Sequence, residues 1–213
     1  MPIAENIKKL SSSIPENVKL VAVSKTKPIV DILQVYNTGY KIFGENKVQD
    51  LTNKYEELPK DIEWHFIGHL QTNKAKDAVS LFEYIHSVDS LHLLNKIIQE
   101  AEKLEKNINI LLELNLSGEE QKYGFSLEEF EELLKDIPSS QYLSYSGIMV
   151  MGKFIENKND LLEDEDIFMK AKEISERYKG IIGKDISMGM SQDYEAALKN
   201  GSTMIRVGSY IFS

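Results

Sequence analysis

Cysteine is missing from the sequence, and so are long apolar runs and an excess of basic residues. Without cysteine the chain forms neither a disulfide nor a thiolate metal site, which is consistent with a reducing compartment. No apolar run approaches the roughly 20 residues that a membrane-spanning helix requires. The first ten residues, MPIAENIKKL, do not have the basic-then-apolar order of a secretory signal. We therefore expect a cytoplasmic protein with no membrane contact.

Acidic residues outnumber basic ones by 34 to 25, which gives a formal net charge of -9. Nucleic acid binding depends on a basic face that displaces counterions from phosphates, so nucleic acid is not expected as a partner. A small anion is compatible with this charge, because a few backbone N–H groups and one or two cations suffice to hold a phosphate. The 213 residues, 42% of them hydrophobic, predict one globular domain spanning residues 1–213.

Motifs for metals and nucleotides are also missing. The four histidines show no His-x-x-x-His or His-x-x-Glu spacing on a helix, so no metal site is predicted. Neither a Gly-x-Gly-x-x-Gly pattern nor a Walker loop occurs, which removes support for a nucleotide cofactor.

Eight apolar segments of strand length alternate with segments of helical periodicity. The predicted strands are 19–23, 41–44, 62–67, 83–88, 108–116, 146–150, 185–189 and 204–207. Most are continuous apolar runs, which is typical of parallel strands covered on both faces by helices. Between them, Ser126 and Glu129 form a predicted capping box at the start of an amphipathic helix. The alternation is typical of an α/β protein, either a (β/α)8 TIM barrel or an open doubly wound sheet.

Polar residues follow each of the first three strands. Lys25 comes directly after the first strand, where a desolvated, neutral amine can attack a carbonyl and form a Schiff base. The alternative is that Lys25 and Lys27 are both solvated loop residues. Asn46 follows the second strand, and His69 follows the third. His65 lies inside an apolar run and is interpreted as a core histidine rather than a ligand.

The last two strands carry residue types that suit a phosphate. Ser191 follows the seventh strand and precedes a helical segment, and Gly208 and Ser209 follow the eighth. Barrels often bind phosphate with these two loops, although a helix cap and a turn are the alternatives. Arg206 lies within the apolar run 204–207, where a buried guanidinium needs either an internal carboxylate or a ligand as its partner.

Six motifs occur in order over residues 18–212: AVSKTKP, FGEN, WHFIGHLQTNK, SGIMVMG, ISMGMSQD and GSTMIRVGSYIF. Together they closely resemble the pyridoxal phosphate homeostasis protein family. The resemblance implies a single (β/α)8 barrel of the type found in the amino-terminal domain of alanine racemase, with pyridoxal 5′-phosphate (PLP) as its cofactor. It implies six cofactor-binding residues and no catalytic residue or metal ligand; the six are Lys25, Asn46, Ser191, Arg206, Gly208 and Ser209.

The resemblance also assigns roles to these residues. Lys25 is expected to form the Schiff base, and Ser191, Gly208 and Ser209 are expected to bind the phosphate. Arg206 is expected to face the pyridine nitrogen, where a fixed cation opposes protonation and weakens the ring as an electron sink. The family's function implies PLP homeostasis: PLP held as a Schiff base without robust enzymatic turnover, with apo PLP-enzymes as recipients.

Three questions stay open at the level of sequence. A PLP-dependent amino-acid racemase is the alternative function, but it needs an acid–base group on each face of the substrate. In such racemases a second domain supplies the opposite tyrosine, and we expect no second domain because the sequence ends at Ser213, soon after the eighth strand. A cofactor-free Schiff-base aldolase is a further alternative. Lys27 is a candidate for passing the cofactor on by transimination, and the oligomeric state is undetermined, with a monomer as the default.

Overall fold

In the computed structural model, which describes residues 2–119, 123–152 and 158–213, eight parallel strands pair in chain order and close into a barrel, β1 lying beside β8. The expected (β/α)8 barrel is therefore confirmed, and the open sheet is excluded. The strands are β1 Lys19–Val23, β2 Ile42–Glu45, β3 Glu63–Phe66, β4 Tyr84–Val88, β5 Ile108–Leu114, β6 Leu143–Val150, β7 Asp185–Ser187 and β8 Met204–Val207.

One helix precedes β1, and at least one helix follows every strand. The α-helices are α1 Ile3–Ser13, α2 Ile29–Tyr36, α3 Val48–Thr52, α4 Ala75–Leu81, α5 Leu91–Leu104, α6 Leu127–Lys135, α7 Lys158–Ile182, α8 Tyr194–Lys199 and α9 Ser209–Phe212. Short 3-10 helices occupy Tyr55–Glu57 and Thr72–Lys74. Across the described residues, none of these helices combines the length and the apolar character that crossing a bilayer demands.

The helix starts follow from local sequence. The Ser126 hydroxyl accepts a hydrogen bond from the Glu129 N–H at 3.2 Å, and the Glu129 carboxylate accepts one from the Ser126 N–H at 2.8 Å. This reciprocal pair is the predicted capping box, and it satisfies two N–H groups that the helix itself leaves unpaired. At α5, the Ser90 hydroxyl accepts from the Leu93 N–H at 3.3 Å.

Three predicted strand boundaries differ from the observed ones by two or three residues, and each error has a local cause. The other predicted boundaries agree with the structure to within one residue. The strand predicted to reach residue 116 ends at Leu114, because the Asn115 N–H leaves the sheet and donates to the Phe125 carbonyl at 2.9 Å. The strand predicted to reach residue 189 ends at Ser187, and Gly189 then takes a φ of 95° that turns the chain. The strand β6 starts earlier than residue 146, since Leu143 already pairs with Ile108.

The apolar core lies between the strands and the helices. In β3, Trp64 and Phe66 pack against Phe43 and Phe82 respectively, with ring centroids 5.6 and 5.2 Å apart. Successive side chains of a strand point to opposite faces, so His65, between these two aromatic residues, points into the barrel. The barrel interior therefore has polar side chains along part of its length, while its outer face is apolar.

Gly147 in β6 is a position where a side chain has no room. Its φ is 155°, and a Cβ there would lie 1.8 Å from the Asp185 carbonyl oxygen of the neighbouring strand β7. We expect Gly147→Ala to lower the free energy of unfolding by about 3 kcal/mol, because the two strands must separate.

The matched control is Gly180→Ala in α7, where nothing lies within 4 Å of the added methyl group. This change is expected to raise the free energy of unfolding by about 1 kcal/mol, since alanine favours a helix over glycine. Urea unfolding followed by circular dichroism measures both. A wild-type midpoint for Gly147→Ala would contradict the prediction.

Candidate functional site

A cavity of about 500 Å³ opens at the carboxyl ends of the strands, and each of the eight strands or the loop after it supplies at least one lining residue. In barrels this is the face that carries function, because eight loops converge there. All six residues predicted to bind the cofactor line this cavity: Lys25, Asn46, Ser191, Arg206, Gly208 and Ser209.

Lys25 reaches the cavity from a strained turn. The next residue, Thr26, has a φ of 63°, which is unusual for a β-branched side chain and costs of order 1–3 kcal/mol. The Thr26 hydroxyl donates to the Lys25 carbonyl at 2.6 Å. Lys25 itself is exposed. The expectation of an amine desolvated by the protein alone is therefore not met, and any desolvation has to come from a ligand that covers it.

A buried cluster beneath the first two loops holds Lys25 and Asn46 near each other. The Glu45 carboxylate accepts hydrogen bonds from the Ser24 hydroxyl at 2.5 Å and from the Lys54 ammonium at 2.6 Å. The Ser24 N–H also donates to the Gly44 carbonyl at 2.9 Å. These contacts tie the residue before Lys25 to the residue before Asn46, so the two loops are fixed relative to one another.

The loops after β7 and β8 form the opposite wall. Gly208 precedes α9, and its carbonyl accepts from the N–H groups of Ile211 and Phe212 at 2.9 and 3.0 Å. The first N–H groups of such a turn have no partner within the helix and attract anions. A Cβ at position 208 would lie 2.9 Å from the Val23 carbonyl oxygen, so only glycine allows this close approach.

Contacts from distant parts of the chain anchor α9. The buried Asn6 side chain donates to the Ile211 carbonyl at 3.2 Å, and the Lys27 ammonium donates to the Phe212 carbonyl at 3.2 Å. Lys27 also lies 5.6 Å from the centroid of the Phe212 ring. Lys27 is not one of the described residues that line the cavity.

Arg206 is buried in the barrel, with 5% of its surface exposed. Its Nη1 donates to the Ser187 carbonyl at 2.8 Å and to the Ser187 hydroxyl at 2.6 Å, and its Nη2 donates to the Val150 carbonyl at 3.2 Å. Burial lowers the pKa of Arg206, whereas the charges of Asp193 and Glu113 raise it. An arginine stays protonated in a protein, and these three bonds leave N–H groups for a ligand.

The alternative of an internal carboxylate partner is thus not realised as a hydrogen-bonded ion pair. Among the described contacts of Arg206, the acceptors are neutral oxygens, and the carboxylates act only through their field.

Glu113 was missed by the sequence interpretation, although it lies in the cavity wall. Burial raises its pKa to about 7; the charge of Asp89 adds to this rise, and Arg206 opposes it. A glutamate inside the apolar run of β5 was a signal that could have found it, because carboxylates are rarely buried without a function or a partner.

Tyr123 and His69 also line the cavity, at its mouth. Their rings stack with centroids 3.7 Å apart at an angle of 15°, and Nδ1 of His69 lies 3.0 Å from the Asp89 carboxylate. No motif pointed to Tyr123, since it lies in a loop well past the end of β5. The described residues include no group of three or more histidines and carboxylates placed to hold a metal ion.

Comparison with known proteins finds a matching family model and similar proteins. It matches the model of the family described as alanine racemase, N-terminal domain, over residues 2–213. A pyridoxal phosphate homeostasis protein from Aquifex aeolicus is 38% identical over 201 residues, covering 91% of this chain and 86% of that protein. A second, from Escherichia coli, is 34% identical over 209 residues, covering 93% and 86%.

Solved structures agree with this placement. PipY of Synechococcus elongatus PCC7942, without PLP, superposes with a TM-score of 0.92 at 33% identity, covering 99% of this chain and 100% of PipY. PipY with PLP bound gives a TM-score of 0.88 at 32% identity, with the same coverage. Alanine racemase of Clostridium difficile 630 shares the fold, with a TM-score of 0.75 at 15% identity, and the match covers 99% of this chain and 56% of the racemase.

The raised pKa of Glu113 predicts a pH-dependent stability. Folded Glu113 keeps its proton up to about pH 7, whereas an unfolded glutamate loses it near 4.5, so its contribution to stability falls as pH rises through this interval. Glu113→Gln removes this penalty. We expect the variant to be more stable than wild type by about 3 kcal/mol at pH 8, with the difference vanishing below about pH 4.

Urea unfolding at several pH values measures this difference, and the exposed Glu16→Gln serves as the matched control, with a difference that stays small throughout. A Glu113→Gln difference that did not grow with pH would contradict the prediction.

Proposed function

The chain belongs to the pyridoxal phosphate homeostasis protein family, and on this premise we propose that it binds PLP reversibly and serves intracellular PLP homeostasis without robust turnover. One observation carries the proposal. Lys25, near the start of the sequence, lines the same cavity as Arg206 and the loops after β7 and β8, near the end of the sequence. A racemase needs more than this set, because proton transfer must occur on both faces of the substrate.

The residues present fit the cofactor. Position 208 has no room for a side chain, and its glycine leaves the backbone accessible to a phosphate group. Ser191 and Ser209 offer hydroxyl donors on the same wall. The cavity volume of about 500 Å³ lies in the range of small-molecule sites. When bound, PLP supplies an aldehyde that condenses reversibly with amines.

Each residue then has a defined task. Lys25 provides the amine, and its exposure leaves it accessible to an incoming aldehyde. Ser191, Gly208 and Ser209 hold the phosphate and thereby orient the ring toward Lys25. Arg206, a buried cation with unused N–H groups, binds the ring nitrogen in its unprotonated form, because a neighbouring positive charge disfavours a second one.

The remaining features of the proposal concern the protein in the cell. Residues 1–213 act as a single PLP-binding domain in the cytoplasm, as a monomer, and apo PLP-enzymes receive the cofactor. Asn46, which lines the same cavity as Lys25, would lie beside the ring. A protein with this task keeps a reactive aldehyde away from other amines and holds it in a form that can be released.

The first prediction of this proposal concerns Lys25. Purified protein mixed with PLP should show the visible absorbance of lysine-bound cofactor, and borohydride reduction followed by peptide mapping should locate the label on Lys25. Lys25→Ala should abolish the absorbance, and Lys27→Ala, whose amine binds the Phe212 carbonyl, is the matched control that keeps it. A label elsewhere, or none, would contradict the proposal.

Two further assays separate the alternatives. Sustained conversion of L- to D-amino acids that Tyr123→Phe abolishes would establish the racemase instead of the carrier. A rate of PLP transfer to an apo-enzyme that Lys27→Ala leaves unchanged would refute a transimination role for Lys27.

The phosphate assignment yields a second prediction. Ser191→Ala and Ser209→Ala should each raise the dissociation constant for PLP about tenfold, because a hydrogen bond to a charged group is lost. Binding of pyridoxal, which has no phosphate, should not change. Equilibrium dialysis measures both ligands, and the exposed Ser12→Ala serves as the control. Equal losses for PLP and pyridoxal would place the phosphate elsewhere.

A further inference from the structure

A continuous chain of hydrogen bonds crosses the interior of the barrel and ends on Arg206. We call it the cross-barrel chain; its members are Glu63, His65, His86, Ser187 and Arg206. The carboxylate of Glu63 lies 2.8 Å from His65 Nε2, and His65 Nδ1 lies 2.8 Å from His86 Nε2. His86 Nδ1 lies 2.8 Å from the Ser187 hydroxyl, which lies 2.6 Å from Arg206 Nη1.

The middle of the cross-barrel chain is inaccessible to water, whereas its Glu63 end is partly exposed. His65, His86 and Ser187 have no exposed surface. The Glu63 side chain is 36% exposed and lies at the start of β3, at the end of the barrel opposite the cavity. A buried polar group without a partner costs of order 1–3 kcal/mol, so every ring nitrogen in this chain has to be matched by a donor or an acceptor.

The Glu63 end fixes the direction of every hydrogen bond, and the Arg206 end is compatible with it. An arginine can only donate, so the Ser187 hydroxyl accepts from Arg206 and keeps its own proton available for His86 Nδ1. An ionised carboxylate can only accept, so Glu63 receives the proton of His65 Nε2, and the bare Nδ1 of that ring accepts from His86 Nε2. A neutral His86 that donates from Nε2 has a lone pair on Nδ1, and this lone pair accepts the proton of Ser187.

The electrostatics of Glu63, His65 and His86 agree with this arrangement. Burial lowers the pKa of both His65 and His86, so both rings are neutral at pH 7. The hydrogen bond from His65 lowers the pKa of Glu63, which keeps that carboxylate ionised. Lys19, whose ammonium lies 3.4 Å from the Glu63 carboxylate, adds to that stabilisation.

We infer that His86 is a positioning residue of the cavity: by accepting the proton of Ser187, it turns a lone pair of that hydroxyl toward Arg206 and fixes which guanidinium N–H groups face the cavity. The cross-barrel chain follows from the interatomic distances alone. The step from an oriented Arg206 to cofactor binding rests on the proposed function.

The loss of this acceptor has a definite consequence. Without His86 Nδ1, the Ser187 hydroxyl is free to rotate and to point its proton toward Arg206, where two donors oppose each other. Arg206 would keep its bonds to the Ser187 and Val150 carbonyls but lose its bond to the Ser187 hydroxyl, so fewer contacts would hold the guanidinium in one orientation. Ordering the guanidinium again on ligand binding weakens affinity.

The first test addresses the tautomers without any ligand. In ¹⁵N NMR spectra of the cofactor-free protein at pH 7, His65 and His86 should each show a protonated Nε2 and a bare Nδ1. His65→Gln and His86→Gln assign the two sets of signals. A protonated Nδ1 on either ring would overturn the one-way chain.

The second test separates orientation from packing. His86→Gln places its amide near the position of Nε2 and leaves Ser187 without its acceptor, whereas His86→Asn places an amide oxygen near the position of Nδ1 and restores it. We expect the dissociation constant for PLP to rise about tenfold in His86→Gln and in Ser187→Ala, with an altered absorbance of the bound cofactor. His86→Asn should rescue affinity to within about twofold of wild type.

Exposed His92→Gln is the control for surface changes, and urea midpoints report folding. Equal weakening by His86→Asn and His86→Gln would show a packing role and refute the inference, as would wild-type affinity in Ser187→Ala. If wild type itself failed to bind PLP, the proposed function would fall, and the NMR result would still decide the direction of the chain.

Discussion

The pairing of β1 with β8 closes the barrel, and the functional cavity depends on it. In this pair, Val21 lies opposite Arg206, and Ala22 lies opposite Val207. The loops that leave the two strands therefore emerge side by side, so that Lys25 and Gly208 share one cavity. A slip of one residue would turn Arg206 to the opposite face of the sheet, because side chains alternate along a strand. The register of one strand pair thus sets the site.

Placing a cation inside the barrel demands compensation, which the fold provides in two forms. Carbonyls at the ends of β6 and β7 accept directly from Arg206, and the fields of Glu113 and Asp193 favour its charge. The interior also holds two neutral histidines rather than further ions. Each ring nitrogen of the cross-barrel chain has a hydrogen-bond partner, and so does the Ser187 hydroxyl. The fold therefore accommodates these buried polar side chains and holds them in a single arrangement.

Much of this architecture was predictable from the sequence, and the failures have physical causes. The strands 19–23 and 204–207 were predicted with their observed ends, since each is a short apolar run with a polar residue or glycine soon after it. The six residues predicted to bind the cofactor lie near strand ends and within motifs, both of which are local signals. Glu113 left a local signal, a carboxylate within an apolar run, that the sequence interpretation did not use. Tyr123 and the partnership of His65 with His86 left no such signal, because they become meaningful only through contacts between different strands and loops.

The strand order also bears on when the cofactor can be acquired. Lys25 emerges from the ribosome with the first strand, whereas the loop proposed to bind the phosphate follows the last strand, so a nascent chain exposes its amine before both sides of the cavity exist. On the proposed function, the cofactor would bind only after the eighth strand has been synthesised and the barrel has closed. An incompletely synthesised chain would present an ordinary surface lysine with no advantage over any other amine in the cell.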